Sequence, residues 1–382
     1  DIRKTHLEIV DARRQRAAFY ESIPTVMVMQ EMETPRATHI LTRGQYDAPA
    51  QKVTAGVPGV LPPLPDGVPA NRLGFAQWLV APNHPLTARV AVNRVWQMYF
   101  GTGLVKTTED FGAQGDMPSH PDLLDWLATE FIRSHWDVKA LHKLIVTSAT
   151  YQQSSTASAE MRDRDPENRL LARGSRFRLP AETVRDQALF ISGLLAEHVG
   201  GPSVRPYQPD GLWKEIASTT NYEQSHGADL YRRSLYTYWK RTVAPPTMVT
   251  LDATSRESCI VKRSRTNTPL QALALMNEVT FVEAARTLAQ RVMNDSERAT
   301  ERRIDLAFKR VTSRLPTALE RDVLSQAYES YFNSFQDDPQ AAEKLLAVGE
   351  SPRDMSLDAT ELAAWTTLMS VILNLDEVVT KE

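Results

Sequence analysis

The 382 residues carry a formal net charge of −3, with 42% hydrophobic and 24% charged side chains. This balance allows a sizeable buried core and excludes a global electrostatic pull toward nucleic acid or an anionic membrane, so any charged-ligand site must be local. Cys259 is the single cysteine, which excludes an internal disulfide, a cysteine-rich zinc site and a C-x-x-C-H haem attachment within these residues. No eighteen-residue apolar run occurs, so no membrane span is expected. The opening Asp1-Ile2-Arg3-Lys4 resembles neither a signal peptide nor an initiator start, and the chain reads as part of a longer polypeptide.

The segment to Tyr20 is charged and helix-compatible. Thr25 to Met29 and Thr38 to Leu41 are β-prone runs on either side of Pro35, which predicts a small hairpin between them. From Ala48 to Pro69 the chain is rich in Pro, Gly and Val and reads as an extended connector. Beyond Asn71 the pattern turns helical. Val92, Val95, Trp96 and Tyr99 share one face, Asp137 caps a helix carrying Leu141 and Ile145, and Pro121 opens a helix running to about Arg133. A further helix is expected from Pro180 to Ala196.

Residues 200–227 read as a long ordered loop, Leu235 to Trp239 as an aromatic, extended run, and Thr268-Pro269 as a helix start. Ile304, Phe308 and Val311 mark one helical face, Thr317 and Glu320 match a capping box, and Trp365, Met369, Ile372 and Leu373 mark the last helix. Residues 335–356 read as a mobile polar connection. The predicted class is mainly α: a multi-helix, bundle-like domain with a small N-terminal β element and long ordered loops. Its expected divisions are an extended segment 1–70, a helical core 71–200, a loop-rich unit 201–295 and a C-terminal helical unit 296–382.

Four constellations are candidates for chemistry. Lys106 to Asp122 gathers carboxylates including Asp110 and Asp122, two glycines and His120 at a helix N-terminus, which suits acid/base work, a cation or an anion. Equally, Gly112 and Gly115 turn the chain while Ser119 or His120 caps the helix. No second histidine stands at ligand spacing, so no metal site is expected. Arg89, Asn93 and Gln97 form a polar row beside an apolar one, suited to a ligand, to solvent or to an internal network, and Arg94 adjoins it within reach of a loop carboxylate. Arg173, Arg176, Arg178, Glu182, Arg185 and Asp186 form either an anion clamp or a salt-bridge network. The run from Tyr231 through Trp239 and Arg241, with Lys262 to Arg265, places rings beside cations as sugar, acidic-glycan or single-stranded nucleic-acid sites do, the near-neutral net charge arguing against the last; a strand would instead put the rings inside and the arginines outside. Cys259 reads as a buried small residue. No phosphate-loop, dinucleotide, nucleophile-elbow or zinc-protease motif occurs.

Several segments together resemble one family: Asn71-Arg72-Leu73-Gly74, Pro85 to Arg89 with Asn93-Arg94-Val95-Trp96-Gln97, Phe100 to Val105, Asp110-Phe111-Gly112, Ser119 to Leu127, Arg263 to Leu273 and Leu373 to Glu377. The chain is similar over nearly its whole length to the C-terminal domain, of unknown function, of planctomycete cytochrome-c-domain-containing multidomain proteins. The resemblance implies an exported protein, periplasmic or at the cell surface, whose c-type haem sits in another domain or subunit. It further implies a c-type cytochrome partner, and the leading expectation built on it is oxidation or processing of a carbohydrate-type substrate such as a polysaccharide. The family brings no catalytic residues of its own; from the constellations above, His120, Asp110 and Asp122 are expected to do acid/base chemistry, and Arg89, Asn93, Arg94, Arg185, Trp239 and Arg241 to hold substrate. The alternative is a non-catalytic scaffold that binds a glycan or partner and docks the cytochrome module.

Overall fold

The computed structural model describes residues 1–216, 221–240, 242–295 and 299–381. The chain is mainly helical and divides into two compact units, Asp1–Thr87 and Ala88–Glu382.

The first unit opens with helix α1 (Ile2–Ser22), none of whose residues is buried. Strands β1 (Thr38–Leu41) and β2 (Pro49–Val53) form an antiparallel hairpin in which Thr38 faces Val53 and His39 faces Lys52. In helix α2 (Arg72–Leu79), Asn71 caps the start by accepting from the Gly74 amide at 2.9 Å. Trp78 is buried and donates from its indole N–H to the Pro62 carbonyl at 2.7 Å. Prolines supply no N–H groups, so the connector's carbonyls stay available as acceptors, and this one anchors the tryptophan.

The second unit begins in α3 (Thr87–Phe100) and continues with α4 (Pro121–Arg133), α5 (Val138–Val146) and α6 (Ala159–Arg164). Val92, Trp96 and Phe100 of α3 pack with Leu124, Leu127 and Phe131 of α4 and with Leu141 and Ile145 of α5 in one core. Strand β3 (Phe177–Arg178) leads into α7 (Ala181–Ser192), followed by α8 (Leu212–Ile216), α9 (Pro246–Thr250) and α10 (Pro269–Asn277), the last capped by Thr268.

Helices α11 (Val279–Asp295), α12 (Thr300–Thr312), α13 (Ala318–Asp337), α14 (Pro339–Leu346) and α15 (Ala359–Leu373) build the largest core. Leu288, Val292, Ile304, Phe308, Trp365, Leu368 and Met369 are almost fully buried there, each large side chain contributing about 1.5–3 kcal/mol. The short helix α16 (Asp376–Val379) then hands the chain to β4 (Thr380–Lys381), which pairs antiparallel with β3.

The structure departs from the sequence reading in several places. Thr25 to Met29 forms no strand, and its Val26, Met27, Val28 and Met29 are exposed. β1 pairs instead with β2, closed by a short turn in which Arg43 and Gly44 take positive φ; β propensity needs a paired edge and a buried face, and the nearer partner supplies the edge. Residues 335–356 are not an open connection: Asp338 accepts from the Ala341 amide at 3.0 Å, Pro339 starts α14, and Ala342 and Leu346 are buried. The helix expected to reach Ala196 stops at Ser192, where Gly193 adopts φ 82°. Leu235 to Trp239 is not a strand but a short 3-10 turn, Ser234–Tyr236, followed by a bridge from Thr237 to Val204. Cys259 is exposed.

Candidate functional site

The loop between α3 and α4 is a tightly bonded turn. Thr107 donates from its hydroxyl to the Asp110 carbonyl and accepts from the Asp116 amide, both at 2.8 Å, and the Asp110 carboxylate accepts from the Gly112 amide at 2.7 Å. His120 stands at the N-cap of α4 without capping it, its Nδ1 3.1 Å from the Ser119 hydroxyl. Asp122 is exposed in the first turn of α4, where a carboxylate suits the helix dipole.

The polar row on α3 separates into distinct roles. Arg89 pairs with Asp125 of α4 at 2.7 Å, which holds that carboxylate below its ordinary range. Asn93 is fully buried and bonds both the N–H and C=O of Val105. Arg185 is buried in α7 and donates to the Leu230 and Arg232 carbonyls at 2.7 and 2.9 Å. Burial lowers its pKa and the nearby Glu278 carboxylate opposes that shift. The six residues do not converge as a clamp and instead make separate ties: Arg176 pairs with Asp376, Glu182 with Arg263, and Arg173 with the Asp165 carbonyl.

Strand-like alternation in the aromatic run fails as well. Arg232 is buried, stacked 3.9 Å from the Tyr236 ring centroid, while Tyr238 is exposed. Trp239 donates to the Ser255 carbonyl at 3.1 Å and carries Arg256 over its ring. Arg241 lies outside the described residues.

Arg94 and Gln97 line a cavity of about 710 Å³ together with Arg178, Glu182, Arg263 and Arg265, whereas Arg89, Asn93, Asp110, His120, Asp122, Arg185 and Trp239 are not part of its lining. Its wall is built from α3, Tyr151, β3 with the start of α7, the 251–265 segment and Lys381 of β4. Tyr99 and Tyr151 meet edge to face at 5.5 Å, and Tyr99 bonds His142 Nδ1 at 2.7 Å. Arg265 lies 4.3 Å from the Phe177 ring centroid and donates to the Gly101 carbonyl at 2.9 Å.

Five cationic side chains (Arg94, Arg178, Arg263, Arg265 and Lys381) line this cavity with two carboxylates, Glu182 and Asp252. Glu182 neutralises Arg263 at 2.7 Å. Asp252 is tied by the Thr266 amide at 2.6 Å and by Gln271 at 3.2 Å. What remains is an excess of positive charge beside three aromatic rings, an environment suited to an anion carried on a ring or chain with apolar faces. A smaller hollow of about 380 Å³ at Gly193 holds Arg291 and Arg310, but both are engaged, with the Ile191 carbonyl and with Asp295. Among the described residues no group of three or more His, Cys, Asp or Glu side chains is placed to hold a metal ion, and no helix is long and apolar enough to cross a membrane.

The family described as "Protein of unknown function (DUF1553)", also termed PSD1, matches residues 71–328. The chain belongs to the DUF1553 family. No curated protein and no solved structure gives a significant match. Every residue lining the large cavity falls within the DUF1553 match except Lys381.

Sequence reasoning singled out Arg94, Gln97, Arg178, Glu182, Arg263 and Arg265 within separate motifs, but it missed Tyr99, Tyr151, Phe177, Asp252 and Lys381 as parts of one cavity. Tyr99 was legible only as a member of an apolar stripe. Nothing in the spacing of Phe177 and Lys381 signals that they face each other across a two-stranded pairing.

Proposed function

We propose that this chain binds an acidic, carbohydrate-type ligand in the cavity lined by α3, β3 and residues 251–265. On this proposal it is one module of a larger planctomycete protein, periplasmic or at the cell surface, whose c-type cytochrome domain oxidises or processes that ligand. The observation that carries the binding reading is the excess of cationic side chains beside Tyr99, Tyr151 and Phe177 in a cavity of about 710 Å³, large enough for two or three sugar rings. Guanidinium groups recognise carboxylate or sulfate through paired N–H donors, and flat rings cover apolar sugar faces. The cytochrome, the location and the redox role rest on the sequence resemblance.

Binding rather than acid/base chemistry is the part this geometry supports. Asp110 spends its carboxylate on its own turn, and His120 and Asp122 stand away from the cavity lining. Calorimetric titration with trigalacturonate and with a neutral galactose trimer tests the reading. The acidic sugar should bind, and Arg265→Ala should weaken it by about tenfold, the scale of one charge-assisted contact. Equal binding of the neutral trimer, or no effect of Arg265→Ala in a folded variant, would overturn it. In the full-length protein, an acidic sugar that changes the haem absorbance on mixing would support the cytochrome role.

A further inference from the structure

Lys381 is held unlike a surface lysine. β4 sets it opposite Phe177, and the side chain joins the cavity wall, with its nitrogen 4.7 Å from the Tyr151 ring centroid and 5.9 Å from that of Phe177. Its hydrogen bond to the Ser175 carbonyl is long, at 3.4 Å, and no carboxylate pairs with it among the described residues. Arg265 approaches the same Phe177 ring, its guanidinium carbon 4.3 Å from the centroid. The rings favour the ammonium form, but burial outweighs them and pulls the amine below the ordinary lysine range. A larger share of this amine is therefore free base than on an exposed lysine, and the free base is the nucleophile.

We infer that Lys381 condenses with the carbonyl group of a ligand held in this cavity, an aldehyde that also bears a carboxylate, to form an imine. The inference rests on the cavity being a ligand site, as proposed above, and adds the reacting group. The amine lone pair forms the new C–N bond while the carbonyl π pair moves to oxygen. The nitrogen then gives up both protons, the oxygen departs as water, and C=N remains, so the step needs no oxidant or reductant. Arg265 lines the same cavity and approaches the same Phe177 ring, and it is the group assigned to hold the carboxylate.

Glyoxylate with cyanoborohydride at pH 7 tests this on the whole chain, because hydride reduces any imine to a stable carboxymethyl-lysine that peptide mass spectrometry locates. Lys381 should be labelled at least about tenfold faster than Lys139, which is exposed on α5. Labelling of Lys381 no faster than Lys139 overturns the inference. Glycolaldehyde, a neutral aldehyde, separates the two readings. If it labels Lys381 selectively and as fast as glyoxylate does, the imine inference stands and the anion reading falls. If Arg265→Ala slows glyoxylate but not glycolaldehyde at Lys381, both stand.

Discussion

Asn93 does for α3 what a neighbouring strand would do for a strand. Its amide donates to the Val105 carbonyl at 3.1 Å and accepts from the Val105 amide at 2.9 Å, so it ties the helix to the chain that leaves it. The fit leaves no room beside it, since a Cβ on Gly103 would lie 2.5 Å from the Asn93 amide nitrogen. Asn93→Ala strands a buried N–H and C=O, and should destabilise the protein by about 2–3 kcal/mol in urea unfolding. A loss under about 0.5 kcal/mol would mean that Val105 finds other partners. Arg185 is a parallel case in α7, with its guanidinium spent on backbone carbonyls and the Ser234 hydroxyl. Arg185→Met should cost about 3–5 kcal/mol, the penalty for leaving buried polar groups without their partner, again read by urea unfolding. Both residues look like surface or ligand-facing polar groups in sequence. Only their neighbours turn them inward.

Helix α13 is anchored at its start. Thr317 accepts from the Glu320 amide while Glu320 accepts from the Thr317 amide, and Arg314 pairs with both Glu320 and Glu377 at 2.7 Å. The Arg314 guanidinium, with the Thr317 amide, lowers the Glu320 pKa to about 2. A carboxylate whose pKa falls on folding binds fewer protons in the native state than in the unfolded one. Its stabilisation is therefore complete above its ordinary pKa of 4.5 and is lost as pH drops toward about 2. Glu320 is a surface group, so solvent screening holds the effect to about 1 kcal/mol. Glu320→Gln should lower the Tm at pH 7 by about 1 °C and flatten the loss of stability between about pH 5 and about pH 2. Acid unfolding curves of the two proteins that superimpose in slope would refute the assignment. This element was readable in advance because its start signal occupies four consecutive residues.

For the whole molecule, the cavity gathers side chains from the first helix of the second unit to its last strand. The charge surplus there is local in a chain of net charge −3. Binding of an acidic trisaccharide should therefore weaken as salt is raised from about 50 to about 500 mM, while the global stability changes little. Calorimetry across that range checks it, and salt-independent affinity would point to apolar contacts alone. Gly101 is the architectural pivot: φ is 79°, its carbonyl receives Arg265, and a Cβ there would meet Phe177 at 2.9 Å and Arg265 at 3.0 Å. Backbone, ring and guanidinium thus close on one another at the cavity edge.

The sequence alone determined what is local. Asp137, Thr268-Pro269 and Thr317 with Glu320 start helices where caps predict, and Val92 with Trp96, Ile304 with Phe308, and Trp365 with Met369 bury the faces that periodicity marks. A cap and a stripe act over three or four residues, so their outcome hardly depends on the rest of the chain. The tertiary structure decided which polar groups meet. Arg89, Asn93, Arg94 and Gln97 lie within nine residues of one helix, yet one pairs with Asp125, one is buried, and two open onto the cavity. What surrounds each turn of α3 sets that division, and those surroundings come from α4, the loop at Val105, β3 and the 251–265 segment. Lys381 reaches Phe177 only because β4 closes on β3, a pairing between segments too short to carry a sequence pattern of their own.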